Sequence, residues 1–287
     1  MNSVIVRYAE IGLKGNNRVV FERKLVGNIC SCLDTNKVKY TKIFRPMGRV
    51  LIETDDQCFC LKTVFGISSF SYAVNAGSNI EEIKQTALGL VKKKITAKTS
   101  FAVSCQRLDK NFAMNSQEFS REIGGFINDE TNARVDLNHP DVPLFAEIIE
   151  GCAYLFTERT SGPGGLPLGI EGGVLVLMDS PLSLLSALWM MKRGCRVFCF
   201  ALKSINIDLL NEFSYGGKID LRIVSDLKEI NEVASRYKAK AFIVSDLLNS
   251  IKEYPFVLPV YRPLVGLDKK EIEVKLDEFR QRVCQEV

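Results

Sequence analysis

The chain has 287 residues, 46% of them hydrophobic and 25% charged, with a net charge of +4. That balance suits a soluble globular protein of two or three domains. No apolar run approaches the roughly 20 residues that span a bilayer, and MNSVIVRYAEIGLKG lacks the basic-then-apolar order of a signal peptide. A cytoplasmic protein without a membrane partner is expected. Residues 1–50 hold ten Lys/Arg against three Asp/Glu, so this block is +7 and the rest is −3. The asymmetry fits a local polyanion site or a solvated basic surface.

In chain order, SVIVRY reads as a first strand and GLKGNN as a glycine-punctuated loop. RVVFERKLVGNICSCL reads as an amphipathic helix, with Phe21, Leu25 and Ile29 four residues apart. KYTKIFRPMGRVLIET gives two strands around a Pro-Met-Gly turn, and FCLKTVFGISSFSYAV gives a short helix, a glycine break and a strand. This β-α-β-β-α-β order is that of a ferredoxin-like unit. NIEEIKQTALGLVKKKI is a helix capped by Ser78 or Asn79, SFAVSCQRL a strand, and NSQEFSREIGGFINDE a helix capped by Asn115 or Ser116. Residues 133–160 add at least two strands. TSGPGGLPLGIEGG, residues 160–173, reads as a linker. Beyond it, VLVLM, VFCFAL, IDLRIV, KAFIVS and FVLPV are near-continuous apolar strands, the pattern of a parallel sheet covered on both faces.

The nine cysteines include no C-x-x-C, and His139, in NHPDVP, is the only histidine. Buried reduced thiols are expected rather than a metal site. Arg7 and Glu10 are expected to pair with each other, and His139 reads as a turn residue.

Three stretches carry a resemblance: RYAEIGLKGNNRVVFERKLVGNI; VFGISSFSYAV; and the set SREIGGFI, HPDVPL and GPGGLPLG. Together they resemble the N-terminal half of the tRNA 4-thiouridine synthetase (tRNA sulfurtransferase) family, a ferredoxin-like domain followed by a THUMP domain. MMKRGCRV, EFSYGGKIDLRIV and LPVYRPLVGLDKKEI resemble landmarks of that family's catalytic domain in outline. The resemblance implies an α/β protein. Its parts are a ferredoxin-like α+β domain (1–74), a THUMP α/β RNA-binding domain (75–160), a linker (161–173) and a truncated Rossmann-like parallel-sheet domain (174–287). The last is of the adenine nucleotide alpha-hydrolase-like, pyrophosphatase-loop type.

The family's reaction activates a uridine oxygen with ATP before a sulfur donor attacks. Its Ser-Gly-Gly-x-Asp-Ser loop falls here on Met178-Asp179-Ser180-Pro181-Leu182-Ser183, with both glycines replaced. Glycines let a backbone approach a phosphate closely, and helix-terminal N–H groups hold it. Pro181 removes one such donor. The local reading of MDSPLS is an ordinary helix start, with Asp179 or Ser180 as cap and Pro181 in the first turn. The vestigial nucleotide set is therefore Leu177, Met178, Asp179, Ser180, Ser183, Ala201 and Leu202, with Ala201 where the family has a histidine. The family's later Gly-Glu-Ser-Leu-Gly-Gln-type loop is expected to be deleted. Cys284, in the tail FRQRVCQEV, is the one cysteine outside predicted core elements and the single catalytic candidate; an uninvolved tail thiol is its other reading.

Lys14, Asn17, Arg18, Arg23, Arg45, Arg49, Arg107 and Lys110 are the RNA-binding candidates. The resemblance implies that they grip the acceptor stem and 3′ end of tRNA. Two functions follow. One is a tRNA-binding protein in or derived from tRNA thiolation, with adenylation lost, no cofactor, and a separate catalytic subunit or sulfur donor as partner. The other is a minimal ATP- and magnesium-dependent sulfurtransferase making 4-thiouridine. A homodimeric scaffold is a third arrangement.

Overall fold

A computed structural model describes residues 2–96 and 98–283. Cys284, the catalytic candidate, lies outside the described residues. Contacts divide the chain into two compact units: 1–7, 39–57 and 69–160 form one, and 8–38, 58–68 and 161–287 form the other. The first strand is β1 (Asn2–Arg7) and the first helix α1 (Arg18–Thr35); the helix belongs to the second unit.

The first unit is a mixed sheet with helices packed against part of it. Its strands are β1, β2 (Lys42–Phe44), β3 (Val50–Glu53), β4 (Ser69–Asn75), β5 (Ser100–Arg107), β6 (Arg134–Val135), β7 (Val142–Ile149) and β8 (Cys152–Phe156). They run in the order β2-β3-β1-β4-β8-β7-β5-β6. β1 pairs antiparallel with β3 and β4, and β5 pairs parallel with β7. The helices are α2 (Ile80–Val91) and α3 (Ser116–Thr131). Asn79 caps α2 by accepting from the Glu81 and Glu82 amides, and Asn115 with Glu118 forms a capping box on α3. Ile83, Ala87 and Val91 of α2 and Phe119, Ile123 and Ile127 of α3 share a core with Phe101, Val103, Leu144, Ala146 and Ile148. The alternation on β7 sends Phe145 and Glu147 to the other face.

The second unit contains a parallel sheet of β10 (Gly172–Leu177), β11 (Cys195–Ala201), β12 (Leu221–Ile223), β13 (Ala239–Ile243) and β14 (Val260–Tyr261), in the order β12-β11-β10-β13-β14. The two-residue strand β9 is Thr160–Ser161. By order along the chain the sheet is 3-2-1-4-5, a doubly wound arrangement that reverses at β10. Val174 and Val176 face a core with α4 (Ser183–Lys192), α5 (Asp208–Glu212) and α7 (Lys269–Val283), while Leu175 faces α6 (Glu229–Ala234). Both faces are covered, which is why these strands read as unbroken apolar runs.

One expectation changes. FVLPV does not form a strand along its length: only Val260–Tyr261 joins the sheet. Pro255 and Pro259 have no N–H for a ladder, and Phe256 instead stacks between Phe242 (4.0 Å) and Tyr254 (5.3 Å). The linker, residues 160–173, is bonded to its neighbours through its main chain. Gly164 exchanges hydrogen bonds with Gly66 and Ile67, and Leu166 donates to the Lys192 carbonyl at 2.9 Å.

Candidate functional site

The strands of the second unit end at a crevice of about 570 Å³. In open α/β sheets, ligands bind beyond the carboxyl ends of the strands. The walls here are Leu177 to Pro181 after β10, Leu202 to Ile205 after β11, Leu227 after β12, and Lys252 and Tyr254 after β13. Five of the candidate nucleotide residues line it: Leu177, Met178, Asp179, Ser180 and Leu202. Ser183 and Ala201 are fully buried behind it.

The turn from β10 to α4 is held by main-chain hydrogen bonds, one of them to β11. Met178 N–H donates to Phe200 O at 2.7 Å, Ser183 N–H to Ser180 O at 3.0 Å, and Leu184 N–H to Pro181 O at 3.3 Å. The amides that open α4 are thus engaged within a tight turn. The expected side-chain cap is corrected: α4 starts at Ser183, after Pro181, and no side chain caps it. The Asp179 carboxylate accepts from the Ser183 hydroxyl at 2.9 Å instead of from an amide. Three-residue turns satisfy the first amides, so a carboxylate cap has nothing left to accept from.

A second polar cluster at this edge was missed by the sequence reading. Asp246, buried just after β13, accepts from Tyr254 Oη (2.7 Å), Arg262 Nε (3.1 Å) and Lys252 N–H (3.2 Å). Burial pushes its carboxyl up, but these three donors together hold it below its ordinary value. Burial, then Asp246, pushes the Tyr254 phenol up. Ser186 and Ser245 hydroxyls share a buried hydrogen bond of 2.9 Å. The only sequence signal was the Asp in an apolar strand end, IVSDLL.

The RNA candidates fall in both units. In the second, Asn17 and Arg23 are exposed. Lys14 Nζ stands 4.6 Å over the Phe21 ring and 4.0 Å from Glu171. Arg18 donates to Glu22 at 2.7 Å and to Tyr8 Oη at 2.8 Å, contacts that raise its pKa, Glu22 more than Tyr8. In the first unit Arg45 and Lys110 are exposed, while Arg107 donates to the carbonyls of Phe112 and Met114.

Arg49 is engaged by an acid within the first unit. Its Nε donates to Glu147 at 2.6 Å, and its Nη2 to Gln106 at 2.9 Å. Arg7 Nε donates to the other oxygen of Glu147, also at 2.6 Å, and Arg7 Nη1 to Ser71. Glu147 is 0% exposed. The Arg7–Glu10 pairing is therefore overturned: Glu10 lies in the second unit and meets Arg193 at 3.4 Å. A buried carboxylate outcompetes an exposed one for a buried guanidinium. His139 sits in a turn, its amide donating to Asp136. Among the described residues no cluster of His, Cys, Asp and Glu could hold a metal ion, and no helix is long and apolar enough to cross a membrane.

Comparisons with known proteins bear on both ends of the chain. A ThiI ferredoxin-like domain model matches residues 3–71, and a THUMP domain model matches residues 77–158. The probable tRNA sulfurtransferase of Thermococcus kodakarensis is 32% identical over 94% of this chain and 86% of its own length. That of Natranaerobius thermophilus is 31% identical over 96% and 82%. The crystal structure of PH1313 from Pyrococcus horikoshii superposes with a TM-score of 0.87 at 31% identity, covering 98% of this chain and all of that one. A 4-thiouridine synthetase solved as an RNA complex with bound ATP superposes at 0.79 with 28% identity, covering 97% and 85%. Matched along nearly its whole length in sequence and in fold, the chain belongs to the tRNA sulfurtransferase (4-thiouridine synthetase) family.

Proposed function

We propose that this chain is a tRNA-binding member of its family in which ATP-dependent adenylation has been lost. The ferredoxin-like (1–74) and THUMP (75–160) parts bind the acceptor stem and 3′ end of tRNA, recognised by shape and phosphate. The part after residue 173 keeps the sheet without the phosphate loop. A separate catalytic chain or sulfur donor then completes thiolation.

Tests of fit at the β10–α4 turn carry the second half of this reading. A triphosphate needs amides presented by a flexible, side-chain-free backbone. Here Pro181 has no N–H, the Ser183 and Leu184 amides donate to Ser180 and Pro181, and Asp179 sets an exposed carboxylate at the mouth. The THUMP match, the exposed Arg23, Arg45 and Lys110, and the RNA-bound relative support the first half.

The second reading is a minimal sulfurtransferase that uses ATP and magnesium. It is favoured by Lys203 and Lys252, which line the crevice and offer two cations to an anion. Titration of the full chain with labelled ATP and with tRNA, singly and together, separates the two. Salt-sensitive tRNA binding with no saturable ATP binding is expected. Release of AMP on addition of tRNA and ATP selects the enzyme.

A further inference from the structure

At the opposite end of the five-stranded sheet from the crevice, Lys24 of α1 and Arg196 of β11 converge on one point. A Cβ built on Gly169 would stand 3.0 Å from Arg196 Nε and 3.4 Å from Lys24 Cε. Gly169 also has φ +85°, so the residue without a side chain both permits the backbone turn and leaves room for the two stems. Lys218 lines the same cavity, of about 380 Å³, along with Asn28 and Ser214. No Asp or Glu is among its lining residues.

Two cations held together without an acid is an unusual arrangement. Lysines on a solvated face splay apart, because like charges repel and long stems are mobile. Among the described residues no carboxylate lies within 4.0 Å of Lys24 or Arg196, whereas Arg7, Arg18, Arg49, Arg193 and Arg262 each meet one. Burial, and after it the Arg196 charge, pulls the Lys24 ammonium below its ordinary value. Both effects disfavour the charged lysine, and an anion bound between the two cations would offset them.

We infer that this cavity is a phosphoryl-binding site, with Lys24, Arg196 and Lys218 as its cations and Asn28 and Ser214 at its polar wall. A phosphoryl group fits better than a carboxylate. Lys24 and Arg196 have no acid beside them and Lys218 has only the exposed Asp220 at 4.0 Å, so the cavity matches an anion of more than one charge, and the guanidinium fork matches phosphate oxygens. Six residues of extended strand separate Arg196 from Leu202 at the crevice, roughly 20 Å at 3.3 Å per residue, so this is not the candidate nucleotide site. The phosphoryl group comes either from a free phosphorylated small molecule or from an RNA backbone. Only the RNA source rests on the tRNA reading above.

The test uses the full chain and three variants: Lys24→Gln, Lys24→Arg and Arg196→Gln. Inorganic pyrophosphate is titrated calorimetrically at ionic strength held constant with chloride, and tRNA binding is measured across a salt series. A free ligand is indicated by pyrophosphate binding that weakens about tenfold or more in both Gln variants, as loss of a charge-assisted contact does, and recovers in Lys24→Arg. An RNA source is indicated when the Gln variants lower the slope of log affinity against log salt by about 0.7–0.9 each. Pyrophosphate bound with equal strength by wild type and both Gln variants, together with an unchanged tRNA slope, overturns the site. If tRNA does not bind at all, the pyrophosphate arm still decides.

Discussion

Glu147 shows how much one side chain determines in the first unit. Its two oxygens each accept from a guanidinium at 2.6 Å, and none of its surface meets solvent. Burial lowers the Arg7 pKa, with Glu147 opposing that effect, so the carboxylate is what keeps the cation tolerable. Glu147→Gln leaves two guanidiniums without their counter-charge and is expected to cost about 3–5 kcal/mol. Arg49→Gln leaves a neutral Arg7–Glu147 pair and should cost only about 1–2 kcal/mol; urea midpoints at neutral pH rank the two. Asp246 gives a pH-dependent counterpart. Its folded pKa is depressed, so its contribution is complete above the unfolded carboxylate range and is lost as pH falls through the folded value. Tyr254→Phe removes one of the three donors. It should cost about 1 kcal/mol at pH 7, and the gap from wild type should shrink as pH falls through the depressed folded value and Asp246 protonates. A gap that persists down to acid unfolding argues against the carboxylate as the tyrosine's partner. None of these pairings was legible beforehand. Arg7 and Glu147 are 140 residues apart, and local spacing favoured the nearer Glu10.

At the scale of elements, local chemistry was readable wherever the cause was local. Asn79 and Asn115 precede acids at the right offset, and both cap as expected. The β10–α4 turn defeated the same logic because its amides found carbonyls within the turn before any side chain reached them. In the Gly-rich segment 162–165 the glycines of the linker allow close packing. Gly164 and Gly165 separate backbone freedom from that packing. Both have positive φ, +69° and +78°, but a Cβ on Gly164 has nothing nearer than 4.0 Å, whereas one on Gly165 would sit 2.2 Å from the Lys192 carbonyl oxygen. Gly164→Ala is expected to cost about 1–2 kcal/mol, the strain of a left-handed alanine. Gly165→Ala should cost about 3–4 kcal/mol, since it also displaces the carbonyl that accepts from Leu166. Equal losses in thermal and chemical unfolding would mean that backbone strain alone acts at both positions.

For the molecule as a whole, the motifs carried the family and the order of elements, because both are written in contiguous residues. They could not say which cations remain available to a polyanion, since that depends on which acids the fold brings beside them. Arg18 is engaged by Glu22 and Tyr8, and Arg49 by Glu147, while Arg23 is exposed with no acid within 4.0 Å among the described residues. A paired arginine already has its counter-charge and releases few condensed ions on meeting RNA. Arg23→Gln is therefore expected to lower the salt slope of tRNA binding by about 0.7–0.9, and Arg49→Gln to change stability while leaving that slope near the wild-type value. The same titrations read the state of the β10–α4 turn. In a protein that binds ATP and tRNA together, each ligand alters the other's affinity by one common factor. With the Ser183 and Leu184 amides engaged internally and Pro181 lacking one, that factor should be one. Isotherms for tRNA with and without saturating magnesium–ATP should superpose at every salt concentration, and a displacement between them that Arg23→Gln leaves intact would place a working nucleotide site at the crevice.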